Sequence, residues 1–216
     1  RMELLCTMEA RNGDFWVGTG NGLYQIDREV VTGNDLKYSF SGFATLPHKK
    51  VFTKADGLPS AEITCIVQDK AQNVWVGTRD AGIAVLLAGE SKFQARNFSD
   101  LSLSNSINGL TLDKGNILWI ATTDGAFSLD LLSGQTNYYG TQNKLPHNNI
   151  HDIFVDRAGK VWFATHTNRL AVFDGKNIDT REVSDHGEIP NVTCIAQDKN
   201  GTFWLGTEGA GLYRYD

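Results

Sequence analysis

Proline and methionine are scarce in this chain, at 4 and 2 of 216 residues, so it is no proline-rich stalk or extended linker. Only 3 cysteines occur, an odd number, which argues against a disulfide framework as the basis of the fold. No apolar run approaches the roughly 18 residues that a membrane-spanning helix needs, and the first residues lack the basic-then-apolar layout of a secretion signal. The longest basic run is Lys49-Lys50, and 20 Lys and Arg stand against 25 Asp and Glu for a net charge of −5. No electrostatic footprint for a phosphate backbone exists, so nucleic acid is not an expected partner. Glycine and tryptophan are plentiful, at 22 and 5, in a chain that is 41% hydrophobic and 21% charged. That balance can outweigh the entropy of ordering, and the glycines point to many short strands joined by tight turns.

The tryptophans reveal an internal repeat. Trp16, Trp75, Trp119, Trp162 and Trp204 are spaced 59, 44, 43 and 42 residues apart in the segments FWVGT, VWVGT, LWIAT, VWFAT and FWLGT. Six residues before the Trp stand Ala10, Asp69, Asp113, Asp156 and Asp198, each followed by a basic residue and, two further on, by Gly, Asn or Gln. This predicts a tight hairpin turn with one residue at positive φ. An apolar residue twelve before the Trp (Leu4, Ile63, Ile107, Ile150, Val192) starts a first strand. After the Trp strand come a third (GLYQID, GIAVL, GAFSLD, RLAVFD, GLYRYD) and, in the first four repeats, a variable fourth (KVFT 50–53, KFQARNF 92–98, TNYYG 136–140, TREVS 180–184). No window of a dozen residues keeps a helical spacing of apolar positions.

Four short strands every ~43 residues is the period of a β-propeller blade. The expected fold is all-β: a β-propeller of four-stranded antiparallel blades in one domain over 1–216, with five repeats. Blade 1 spans about 1–53 with an insertion at 28–50, blade 2 about 60–98, blade 3 about 104–140, blade 4 about 147–184 and blade 5 about 190–216. The insertion lies between the third and fourth strands, and its Tyr38, Phe40 and Phe43 suit an extra hairpin on the blade edge. Blade 5 has no segment for an outer strand, so self-association through open blade edges is expected.

The pattern L-P-x-N-x-I followed by D-x-x-G-x-x-W-x-G-T, clearest in LPHNNIHDIFVDRAGKVWFAT (145–165) and LPSAEITCIVQDKAQNVWVGT (58–78), resembles the two-component regulator propeller repeat. The resemblance implies the ligand-sensing, extracytoplasmic and periplasmic part of a bacterial receptor whose other domains, kinase or cyclase, are its partners. It implies no catalytic residue, no cofactor and no metal in this segment.

Most repeated residues have structural roles. The Trp residues suit packing between blades, the Thr that ends each Trp strand suits a hydrogen bond across the turn, and Cys6, Cys65 and Cys194 share one inner-strand position as small fillers. Specificity is expected where the copies differ, in the loops leading into the first strand and between the second and third. These gather Glu62, Arg79, Asp80, Asp124, His147, Asn149, His151, His166, Arg169 and Glu208 as candidate ligand contacts, with Arg79, Asp124, His151, His166 and Arg169 foremost. His147 and His151, about 13 Å apart along an extended chain, fall outside a common metal sphere, whereas His151 and His166 are expected neighbours on adjacent strands. A small polar solute or an oligosaccharide is the expected ligand. A propeller lyase or hydrolase of the streptogramin-lyase type, locally similar at VWFATH (161–166), and a protein-interaction scaffold are the alternatives.

Overall fold

Short apolar segments closed by left-handed turn residues fold into antiparallel strands throughout the computed structural model, which describes residues 3–32, 48–96, 105–183 and 191–215. The first strands of the repeats are β1 (Leu4–Glu9), β5 (Ile63–Gln68), β9 (Ile107–Leu112), β13 (Ile150–Val155) and β17 (Val192–Gln197). The Trp strands are β2 (Phe15–Thr19), β6 (Val74–Thr78), β10 (Ile117–Thr122), β14 (Val161–Thr165) and β18 (Phe203–Thr207). The third are β3 (Gly22–Ile26), β7 (Ile83–Leu86), β11 (Gly125–Asp130), β15 (Arg169–Phe173) and β19 (Gly211–Tyr215). The fourth are β4 (Lys50–Phe52), β8 (Gln94–Arg96), β12 (Thr136–Tyr139) and β16 (Ile178–Glu182). Hydrogen bonding runs in chain order within each sheet, giving four four-stranded β-propeller blades and a fifth of three strands. The chain divides into two compact units, Arg1–Ile107 and Asn108–Asp216.

The insertion leaves blade 1 between β3 and β4, as its position in the repeat requires. It opens with a five-residue helix, Arg28–Thr32, whose start is capped by Asp27 Oδ1 accepting from Glu29 N–H at 3.1 Å. So short a helix leaves no periodic signal. Tyr38, Phe40 and Phe43 lie outside the described residues. Two 3₁₀ turns follow fourth strands, at Lys54–Asp56 and Thr141–Asn143. No helix among the described residues is long and apolar enough to cross a membrane.

Each turn from first to second strand does carry one residue at positive φ: Gly13, Gln72, Asn116, Gly159 and Gly201. The Thr ending every Trp strand donates its hydroxyl to the carbonyl at the start of the third, at Gly22, Gly82, Gly125, Arg169 and Gly211. The basic turn residue has a function that spacing alone does not show. Arg11 donates to Lys70 O, Lys114 to Arg157 O and Arg157 to Lys199 O, each stapling its turn to that of the next blade.

The rings of Trp16, Trp119 and Trp162 fill the spaces between blades. Within the first unit Trp16 stacks on Phe52 at 5.5 Å, and Phe52 meets Phe93 edge-on. Within the second, Trp119 packs against Tyr139 and against Phe163 and Phe173 of the next blade, and Trp162 lies 4.4 Å from Phe203. The aspartate six residues earlier does more than shape the turn. Its Oδ2 accepts the indole N–H in four blades, Asp69 to Trp75 at 2.9 Å, Asp113 to Trp119 at 3.2 Å, Asp156 to Trp162 at 2.9 Å and Asp198 to Trp204 at 3.2 Å. Its Oδ1 meanwhile accepts the backbone N–H four residues on.

The inner strands carry a bulge that alternation does not anticipate. Leu4 pairs with Thr19 but Cys6 with Gly18, so Leu5 is the extra residue, and Thr64, His151 and Thr193 hold the same place in β5, β13 and β17. The cysteines pair with glycines, Cys6 with Gly18, Cys65 with Gly77 and Cys194 with Gly206, and a methyl at any of these glycines would meet the sulfur. Blade 4 keeps the same division of volume, with the larger Asp152 across from Ala164. The three cysteines are free thiols, Cys6 and Cys65 half-buried and Cys194 exposed. Burial pushes the Cys6 thiol up to about 12, which makes it unreactive.

Candidate functional site

The loops before the first strand and after the second emerge together in each unit, because backbone hydrogen bonds tie them. In the first unit Arg79 N–H donates to Glu62 O at 3.1 Å and Gly82 N–H to Asn105 O at 2.8 Å. The Arg79 guanidinium also forms an ion pair with Glu62, while Asp80 stands exposed on the adjoining turn. In the second unit Gly125 N–H donates to Asn148 O, His166 N–H to Asn149 O at 2.9 Å and Glu208 N–H to Asn191 O at 3.0 Å. Asp124 Oδ1 accepts from Asn148 Nδ2 at 3.2 Å.

Three histidines converge in blade 4. His151 sits in the bulge of β13, and its Nε2 lies 3.0 Å from His166 Nδ1 on the following loop. The expected proximity of these two is therefore present. His147 departs from the extended spacing: its Nδ1 accepts from Asn149 N–H at 2.9 Å, which curls the loop and brings its ring 5.6 Å from that of His166. Asn191 Nδ2 reaches the same His166 Nδ1 at 3.5 Å and donates to Glu208 Oε2 at 3.2 Å. Asn108 extends the polar array by donating to Asn149 Oδ1 and to Ile150 O.

The network assigns the protons. His166 Nδ1 faces the amide donor of Asn191, so it is the acceptor, and His151 contributes Nε2–H. His147 Nδ1 is likewise an acceptor. The cluster thus combines imidazole nitrogens with the Glu208 carboxylate and three asparagine amides. Burial, and then the neighbouring His166, hold the His151 pKa below the ordinary imidazole value, opposed by Glu208. Beside it, burial pushes the enclosed Asp152 carboxyl up to about 6, although it accepts from Ile195 N–H and Ile153 N–H, each at 2.8 Å. No group of three His, Cys, Asp or Glu side chains among the described residues is arranged to hold a metal ion.

Arg169 stands apart from this cluster's hydrogen bonds. It is the first residue of β15 rather than a loop residue, and its guanidinium donates to Glu182 on β16 at 2.9 Å. Asn108, Asn148 and Asn191 are site residues that the sequence reading did not single out. The one available signal was their place beside the variable strand entries.

Comparison with known proteins fits these repeats. The model of the family described as "Two component regulator propeller" matches residues 57–80, 144–167 and 188–209. Histidine kinase P4 of Formosa agariphila is 35% identical over 81 residues, which are 37% of this chain and 5% of that protein. The extracellular domain of the putative hybrid two component system BT3049 from B. thetaiotaomicron superposes with a TM-score of 0.78 at 22% identity, over 100% of this chain and 28% of that one. Virginiamycin B lyase from Staphylococcus aureus superposes with a TM-score of 0.70 at 12% identity, over 99% of this chain and 70% of the lyase. Both likenesses concern the fold. The chain thus spans only a small part of the kinase and of the extracellular domain it is similar to. Three stretches of this five-blade chain, within blades 2, 4 and 5, thus match the two component regulator propeller family, and the same Trp–Thr plan recurs in the other two blades.

Proposed function

We propose that this chain is a ligand-sensing, non-catalytic part of an extracytoplasmic receptor in bacterial signal transduction, located in the periplasm. The observation that carries the reading is the grouping of His151, in the bulge of β13, with His147, His166, Asn191 and Glu208 on the loops that differ among the repeats, while the turns at the other end repeat one staple. Fixed N–H donors beside carboxylate and amide acceptors suit a ligand rich in hydroxyl groups, such as an oligosaccharide. The similarity to the extracellular domain of BT3049 supports the location. Other domains of the same receptor are the partners that receive the binding free energy.

A thermal-shift panel of neutral and acidic oligosaccharides and divalent cations tests the reading, with turnover measured on every hit. At least one oligosaccharide is expected to raise the Tm of the chain, to leave that of His166→Ala unmoved, and to be recovered unchanged. A Tm rise with cations alone, or a cleaved sugar, contradicts the proposal.

A further inference from the structure

Blade 1 breaks the Asp–Trp rule. Ala10 occupies the aspartate position, although the turn closes as in the other blades, Ala10 N–H donating to Asp14 O at 2.8 Å where Asp69 N–H donates to Asn73 O at 3.0 Å. The backbone N–H of Asp14, whose equivalents elsewhere are bound by the missing carboxylate, is served instead by Asn12 Oδ1 at 3.1 Å. The nearby Asp14 carboxylate gives no substitute for the indole, being engaged by Asn12, Gln25 and Lys49. The Trp16 indole N–H therefore has no acceptor among the described residues, in a side chain only 4% exposed.

The place of the missing carboxylate opens into a cavity. Trp16 and Ala10 both line a space of about 340 Å³ within the first unit, together with Phe52, Lys50, Gln25 and Gln68. That volume lies within the range of small-molecule sites. The Lys50 ammonium stands over the Phe52 ring at 4.2 Å, donates to Ser91 O and pairs with Asp56 at 3.5 Å, so the wall carries a cation already partly countered. Glu90 is the one acidic residue of the lining. In four blades the protein itself supplies a carboxylate to the equivalent indole.

We propose that this cavity is a binding site for a small carboxylate solute, of the size of a single uronic acid, whose carboxylate takes the indole N–H of Trp16 as the aspartate does in the sister blades. The stacked Trp16 and Phe52 rings supply an apolar wall for the body of the ligand. The site lies at the staple-bearing turns of blades 1 and 2, and it does not depend on the histidine cluster of blade 4.

Titration of the ¹⁵N-labelled chain with sodium glucuronate, followed through its five indole N–H resonances, tests this directly. Trp16→Phe assigns the Trp16 resonance. Glucuronate is expected to move that resonance alone, with an affinity at least about tenfold above that of glucose. Ala10→Asp, which restores the sister arrangement, is expected to abolish the shift and to raise the Tm. His166→Ala is expected to leave the glucuronate response intact, so a failure of the blade 4 site would be told apart from a failure here. A Trp16 resonance that glucuronate does not move, equal binding of glucose, or unchanged binding in both Ala10→Asp and Trp16→Phe would overturn the proposal.

Discussion

Single residues in this chain are explained by what the same position holds in the other copies. Asp156 and Trp162 show the aspartate's double duty, since one carboxylate satisfies a buried indole N–H and a part-buried turn N–H. Asp156→Ala leaves those donors unpaired and is expected to cost about 2–3 kcal/mol in urea unfolding, a range set by the desolvation penalty for buried donors. A cost under about 0.5 kcal/mol would show that water replaces the carboxylate. The cysteines likewise need no chemistry to account for them: Cys194 fills the volume that Gly206 leaves, and an added methyl at Gly206 meets only the Cys194 and Thr193 side chains. Gly206→Ala is expected to destabilise by about 1–3 kcal/mol as overpacking, and Cys194→Ala in the same chain to recover most of that loss. Additive losses in the double-mutant cycle would refute the complementary-volume reading.

At the scale of the strand, the bulge in β13 governs the candidate site. It re-aims His151 toward His166 and places Asp152 against the backbone of β17. Asp152 has a raised pKa, about 6 against 3.8 unfolded, so the folded state binds more protons between those values and stability falls as pH rises from about 4 to about 6. His151 works the other way. Its pKa is lowered, so the unfolded state takes up protons first and stability falls as pH drops below the ordinary imidazole value. Asp152→Asn is expected to remove the carboxyl's share of this profile, changing the difference in stability between pH 4 and pH 7 by up to about 2 kcal/mol, the ceiling that the unequal proton affinities of the folded and unfolded carboxyl impose across that interval. An unchanged profile by denaturant unfolding at the two pH values would show that the carboxyl is solvated. The Trp strands, their Thr and the positive-φ turns were legible in the sequence because each rests on local spacing. The bulge, the Asp-to-indole bond and the curl at His147 were not, because each depends on how a strand pairs or a side chain is aimed, which neither spacing nor residue type announces. Arg169 opens β15, as RLAVFD predicts, but its guanidinium turns to Glu182 on the neighbouring strand, a partner that local spacing does not reveal.

For the whole molecule, the repeat confines variation to loop ends. One plan recurs in all five copies through its Trp and Thr and in four of them through its Asp, and it constrains those positions while leaving the strand entries free to change. The proposed recognition therefore falls to the entries, and in the second unit to the histidine-centred group, where Asn191 joins His166 to Glu208. Lys114 and Lys199, on turns of the opposite end, are the matched controls, since their exposed side chains can be removed at little cost to stability. The most direct measurement is calorimetric titration of an oligosaccharide that raises the Tm, into the unmodified chain, the His151→Ala/His166→Ala variant and the Lys114→Ala/Lys199→Ala variant. Loss of about tenfold or more in affinity in the histidine variant, with the lysine variant unchanged, is the predicted result. Binding that survives the histidine changes and disappears with the lysines would contradict the account.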